Sequence, residues 1–336
     1  MNLEPALDPA ITAHLDAMDL TVTLDPNDIP ARREYLRREI DRIFTLFGAP
    51  GPAVEAIRDH TVAVDGGEIL LRTYHPDTAS FRPAHVVAHG GGWTTGSVDE
   101  LVCDAAARHR AVRANCVVAL VEYRLAPEHR FPTPVYDVIA AVRWVREHAA
   151  ELGVDADVVT LGGASAGANL SAAAVVGDPD LDLAALVLEV PVLDLTGASA
   201  RAAGAESRLE GLPATIFDEA VEVVGQASLE YLGDARLGVS PLASPLLAPD
   251  LAGFPETFVL TAELDPLHRE GARFVERLRA DGVAAHLTHY AGAMHGSPIL
   301  TATWPTARRW QDDIVAILNG VHRRALENAD VPRRAG

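Results

Sequence analysis

Asp157-Val-Val-Thr-Leu-Gly-Gly-Ala-Ser-Ala-Gly-Ala-Asn-Leu170 joins three patterns: a run of β-formers, a knot of small residues around one serine, and the start of a helical stretch. Asp157 to Leu161 reads as a buried strand, and Ala166 to Val176 as a helix stopped by Gly177-Asp178-Pro179. Between them, Gly163-Ala164-Ser165-Ala166-Gly167 fits Gly-x-Ser-x-Gly. In that pattern a sharp strand-to-helix turn lifts the serine hydroxyl above a sheet and leaves no room for large neighbours. Glycine tolerates both the turn and the close backbone approach. Ser165 is therefore the candidate nucleophile, and the strand-turn-helix order around it sets the reading of the whole chain.

Upstream, His85-Val-Val-Ala88 is a short apolar strand that runs into His89-Gly90-Gly91-Gly92-Trp93. Successive glycines leave backbone N–H groups unshielded, and such donors can converge on a developing oxyanion. Gly91 and Gly92, with Ala166 directly after the serine, are the candidate oxyanion-hole donors; Gly90 adjoins them. Trp93 is a candidate wall of the substrate pocket, with a core tryptophan as the alternative.

His89-Gly-Gly-Gly-Trp93, Tyr123-Arg-Leu-Ala-Pro-Glu-His129, Gly163-Ala-Ser-Ala-Gly167, Glu263-Leu-Asp-Pro-Leu267 and Met294-His-Gly296 occur in that order between about residues 60 and 320. Together they resemble the hormone-sensitive lipase family of carboxylesterases, the bacterial family IV esterases. The resemblance implies an α/β-hydrolase fold, hydrolysis of esters and a cap over the site, to which the N-terminal helices would contribute half. Two departures from the family pattern stand out. Ala164 and Ala168 replace the usual residues of Gly-Asp-Ser-Ala-Gly-Gly, removing a polar group beside the serine, and Ser297 stands where an aromatic usually follows, leaving one pocket wall more open.

Composition narrows the chemistry. The formal net charge of −19 argues against a nucleic-acid partner and against an anionic membrane surface. All 28 basic residues are arginines, so Schiff-base, pyridoxal-phosphate, Walker-A and Ser-Lys chemistry have no lysine to use. Cys103 and Cys116 are too few for a disulfide scaffold and lack zinc spacing, and read as reduced core thiols. Met1 to Asp8 has neither a basic nor an apolar leader region, and no apolar run approaches about 18 residues. The expectation is a cytoplasmic protein acting on a small-molecule ester with no metal or cofactor.

Residues 1–50 are helical by pattern: Ile11, Leu15 and Met18 form one apolar face, and Tyr35, Leu36, Ile40, Ile43, Phe44 and Phe47 another. By itself such a pair would also serve as a homodimer interface. Val62-Ala-Val64, Asp65-Gly66-Gly67 and Ile69 to Tyr74 read as a hairpin opening the sheet antiparallel. Strands at 84–88, 116–122, 157–162 and 184–190 then alternate with helices at about 98–113, 134–151 and 166–176. After an irregular stretch, strands at 257–261 and 284–290 and helices at 269–280 and about 303–322 follow. The predicted fold is α/β, a mostly parallel eight-stranded sheet with helices on both faces and a helical cap. The domain plan is a cap segment 1–52, a hydrolase core 53–195 and 241–322 interrupted by a cap insertion 196–240, and a polar frayed tail 323–336.

A serine hydroxyl needs a base within reach and an acid to orient that base. In α/β-hydrolases these follow in the order Ser, Asp or Glu, His. Beyond the next plausible acid lie His268, His286, His289 and His295. His286 and His289 fall within a strand pattern, whereas His295 sits among small residues in a loop just after it, and is the candidate base. Asp265 stands in a turn at a strand's carboxyl end and matches the family's catalytic Asp-Pro-Leu, which makes it the candidate acid. The charged run Tyr123 to His129 reads as support beneath the oxyanion loop. Glu189, an acid inside the apolar strand Leu186 to Val190, has no sequence-level explanation. The reading is a serine carboxylesterase for short-to-medium acyl esters, with an acyltransferase or amidase, or a non-catalytic receptor of the same fold, as alternatives.

Overall fold

The computed structural model describes residues 7–18, 25, 28–78, 81–199 and 214–329. Eight strands form one sheet: β1 (Ala56–Val64), β2 (Gly67–His75), β3 (Arg82–Ala88), β4 (Val117–Glu122), β5 (Val154–Ala164), β6 (Ala185–Glu189), β7 (Thr257–Ala262) and β8 (Ala285–Tyr290). Their order is β1-β2-β4-β3-β5-β6-β7-β8. The β1–β2 hairpin closes over Asp65-Gly66, where Gly66 takes φ 74° and spares a side chain that strain. β2 meets β4 antiparallel, and every later pairing is parallel.

Helices α1 (Pro9–Ala17), α2 (Ile29–Phe47), α3 (Leu101–Arg113), α4 (Thr133–Glu147), α5 (Ala149–Leu152), α6 (Ala166–Gly177), α7 (Ala214–Leu232), α8 (His268–Ala280) and α9 (Pro305–Ala329) complete the described fold. The sheet separates two apolar cores. Along β4, Val117, Ala119 and Val121 join the core that contains Val138 of α4 and Phe274 of α8. Val118 and Leu120 join the other, with Ala111 of α3 and Trp310 of α9. This alternation is the period of two that a doubly covered strand requires. Because the chain passes from β3 to neighbours on either side, the carboxyl ends of β3 and β5 flank a switch point, where α/β sheets leave a ligand crevice.

The final helix runs to Ala329, beyond the expected stop at 322. Arg324 reaches Glu256 at 2.5 Å, so a tertiary contact falls in a segment whose polar composition suggested a frayed tail. Residues 330–336 and 200–213 of the predicted cap insertion lie outside the described residues. The predicted helix at 134–151 is broken at His148 into α4 and α5. On α2 only Ile43 and Phe44 are buried, and Leu36 is 41% exposed, so the expected apolar face is docked over part of its length alone. Polar bonds do the remaining anchoring. Arg32 pairs with Glu230 of α7 at 2.5 Å, and Arg33 donates to the carbonyls of Thr94 and Ala126 and pairs with Glu128. Among the described residues no helix is long and apolar enough to cross a membrane.

Buried histidines are expected to make the fold acid-sensitive. Thr160 Oγ1 donates to the Ala84 carbonyl and accepts from His85 Nδ1 at 3.0 Å and His322 Nε2 at 3.4 Å. Burial holds His322 down to about 4, and burial with the Arg110 charge also holds His85 well below its usual value. A histidine neutral in the fold and free to protonate when unfolded contributes stability that is complete above pH 6.5 and is lost as pH falls towards 4. His322 alone accounts for about 3 kcal/mol over that window. Urea unfolding of the parent and His322→Leu from pH 7 to 4.5 should show the variant losing visibly less stability; parallel curves would refute the assignment.

Candidate active site

The strand-helix junction at Ser165 has the backbone the sequence demands. Ser165 takes φ 55° and ψ −116°, its N–H donates to the Glu189 carbonyl at 2.8 Å, and its own carbonyl accepts the Asn169 N–H. A non-glycine residue at positive φ is strained, and strain of this kind persists where surrounding structure over-determines it. The surroundings explain the neighbouring glycines. A Cβ at Gly167 would overlap the carbonyl oxygens of Ala88 and His89, so only glycine lets α6 come this close to the end of β3.

Two loops deliver the other side chains. The turn after β7 carries Asp265, 1% exposed, whose Oδ1 accepts the Leu267 N–H at 2.9 Å. The loop after β8 carries His295. Leu264 N–H donates to the Ala293 carbonyl at 2.7 Å and Gly292 N–H to Glu263 at 2.7 Å, which laces the loops together. His295 Nδ1 lies 2.7 Å from Asp265 Oδ2, and His295 Nε2 lies 2.8 Å from Ser165 Oγ. The structure thus brings Ser165, His295 and Asp265 into one hydrogen-bonded line from three separate strand ends. With the carboxylate accepting from Nδ1, the Nε2 lone pair faces the hydroxyl, and this arrangement can move a proton from serine to imidazole. Burial pulls the His295 pKa down, but the Asp265 charge and hydrogen bond outweigh it, and the net direction is upward from 6.5.

Gly91 and Gly92 follow β3 with φ 113° and 57°, and their N–H groups, like that of Ala166 at the start of α6, meet no hydrogen-bond acceptor among the described residues. Gly91's own carbonyl accepts from Thr94 N–H, Thr95 N–H and Thr95 Oγ1, which holds the loop from behind. A Cβ on Gly90 would stand 3.4 Å from the Ala164 carbonyl and 3.9 Å from Ser165 Cβ, so this loop lies against the serine. Tyr123 Oη donates to the His89 carbonyl at 2.9 Å beneath it. The rest of that charged run serves other partners: Arg124 bonds Asp137 of α4, and Glu128 bonds Arg33 of α2.

Two expectations are corrected and one unexplained residue, Glu189, finds its partners. Trp93 is 1% exposed, donates its indole N–H to Asn169 Oδ1 at 3.2 Å and stacks on Tyr231 of α7 at 4.7 Å, so it is a core residue and presents no wall to a ligand. Ser297, expected at an open pocket wall, is fully buried and closes the His295 turn by accepting from Met294 N–H and donating to the Met294 carbonyl. Glu189 has two buried partners, Arg110 of α3 at 2.7 Å and Trp310 Nε1 of α9 at 2.9 Å. His286 and His289 lie on β8 against Glu256 and Thr261, away from the serine's hydrogen bonds. Asn169 and Glu270, whose Oε2 accepts the Leu193 and Asp194 N–H groups, were not singled out from sequence. The asparagine four residues past the serine was a local signal; the glutamate had none.

The profile of the alpha/beta hydrolase fold family matches residues 85–299. The chain belongs to that family, in its hormone-sensitive lipase branch. It is 35% identical over 303 residues to carboxylesterase NlhH of Mycobacterium tuberculosis, covering 87% of this chain and 89% of the relative. It is 31% identical over 266 residues to an ethyl acetate hydrolase of Pseudomonas putida, covering 77% and 81%. The hyperthermophilic esterase of Pyrobaculum calidifontis superposes with a TM-score of 0.83 at 30% identity, over 94% of this chain and 98% of that one. The protein is a carboxylic ester hydrolase.

Proposed function

We propose that the protein hydrolyses short-to-medium acyl esters through an acyl-enzyme formed on Ser165. The observation that carries this reading is the unbroken relay of 2.8 Å and 2.7 Å from the Ser165 hydroxyl through His295 to Asp265. His295 Nε2 takes the hydroxyl proton as Oγ attacks the ester carbonyl, and returns it to the departing alcohol. The amides of Gly91, Gly92 and Ala166 receive the negative charge on the tetrahedral carbonyl oxygen. Water, deprotonated by the same imidazole, then releases the acid. The relative named for ethyl acetate supports the short acyl preference.

Initial rates on p-nitrophenyl esters from acetyl to dodecanoyl test the reading directly. Short chains should be preferred, and Ser165→Ala should lower kcat by about 10⁶-fold. Turnover surviving in Ser165→Ala, or a maximum at ten carbons or more, refutes the mechanism or the chain-length assignment respectively.

The pH dependence follows from the upward direction at His295. The base must be neutral to accept a proton, so kcat/KM should rise with pH along a limb whose midpoint lies above 6.5. Asp265 is the cause of the displacement. A limb centred well below 6.5 would contradict the pairing.

A further inference from the structure

Asn169 is fully buried on α6, one turn beyond Ser165, and its side chain makes three hydrogen bonds to three different segments. Oδ1 accepts the Trp93 indole N–H at 3.2 Å. Nδ2 donates to the Val192 carbonyl at 2.9 Å and to the Ala243 carbonyl at 2.9 Å. Val192 lies just past β6, where the chain leaves the sheet, and Ala243 lies where it returns towards β7 after α7. Trp93 directly follows Gly92, and its ring rests on Tyr231 of α7. Ala227, one turn earlier on α7, stands 3.1 Å from where a Gly92 Cβ would be. One amide therefore ties the helix that presents the nucleophile to the glycine loop and to both crossings of the α7-bearing excursion.

We infer that Asn169 is a positioning residue that sets the oxyanion loop against Ser165 and couples it to the seat of α7. This rests on the reading of the Gly91 and Gly92 amides as oxyanion donors. The geometry gives the reason an asparagine is used: a buried acceptor is needed for an indole N–H, and two buried donors are needed for carbonyls of segments that have no ladder partner at those atoms. Neither serine nor aspartate supplies both. Holding Trp93 from below fixes where its neighbour Gly92 stands, and displacements of about 1 Å at reacting groups cost about 10²-fold in rate. The chemistry at His295 and Asp265 is untouched by these bonds, so the effect belongs to charge stabilisation and not to proton transfer.

Asn169→Ala, Trp93→Phe and the double variant, assayed with p-nitrophenyl butyrate from pH 5 to 9, test the inference. Trp93→Phe keeps a ring against Tyr231 and removes the indole donor. Asn169→Ala should lower kcat by about 10²-fold and Trp93→Phe by about 10-fold, with KM within threefold of the parent and the acid limb unmoved. The double variant should match Asn169→Ala, because both changes break the same bond. Full kcat in a folded Asn169→Ala or in Trp93→Phe, additive losses in the double variant, or a shifted limb would overturn it. If Asn169→Ala does not fold, Trp93→Phe decides alone. Activity persisting in Ser165→Ala would instead remove the site reading beneath it, so the two failures are told apart.

Discussion

Asp265→Asn is expected to lower kcat by about four orders of magnitude while leaving KM and thermal stability close to the parent. The amide oxygen can still accept the Leu267 N–H that Oδ1 accepts now, so the turn is kept. Its NH2 group, however, would face His295 Nδ1 where Oδ2 stands at 2.7 Å. A donor there forces Nδ1 to accept and places the ring proton on Nε2, against the serine hydroxyl. The base is then occupied by its own proton. The imidazolium that forms during attack also loses its counter-charge. Steady-state kinetics with a thermal scan check this; a loss below tenfold in a folded Asp265→Asn would show that Asp265 does not orient the base.

Breaking the Arg110–Glu189 pair should cost more stability than any surface change. Both side chains are 6% exposed, and Glu189 also accepts from Trp310. Glu189→Gln leaves a buried guanidinium without its charge partner, and Arg110→Met leaves a buried carboxylate. Each should destabilise by about 3 to 5 kcal/mol, lowering Tm by on the order of 10 °C. A Glu189→Leu, Arg110→Met double variant removes both charges and should recover most of the loss, less the unsatisfied Trp310 N–H. Because the Glu189 carbonyl holds the Ser165 N–H, kcat should fall alongside stability in the single variants. Singles within 1 kcal/mol of the parent, in the range typical of exposed pairs, would show that the pair is hydrated in solution.

Much of the fold was legible because it is written locally. Strands such as β4, β6 and β7 appear where apolar runs are bounded by turn chemistry, whereas β1 carries Arg58, Asp59 and His60 and only its Val62 to Val64 end was legible; α6 begins where Gly163 to Gly167 leaves no bulk to block the turn. Ser165, Asp265 and His295 were legible as candidates because each follows a strand in a stretch of small or turn-forming residues, matching the family's motifs. Partners far along the chain were not. Glu189 looked anomalous because Arg110 and Trp310 lie 79 and 121 residues away. Trp93 was open between pocket and core until Tyr231 was seen stacked on it, and Leu36 belongs to an apolar stripe that the docked length of α2 does not fully cover.

By itself, the amino-acid sequence determined the strand and helix order, the strained turn at Ser165 and the absence of lysine chemistry, since these depend on backbone freedom, side-chain period and composition over a few residues. Only the tertiary structure decided that three strand ends place a hydroxyl, an imidazole and a carboxylate within 2.8 Å steps, and that Asn169 joins the glycine loop to both crossings beneath α7. Distances between residues from about twenty to more than a hundred positions apart are set by which strands neighbour one another in the sheet, and that order is a property of the packed whole.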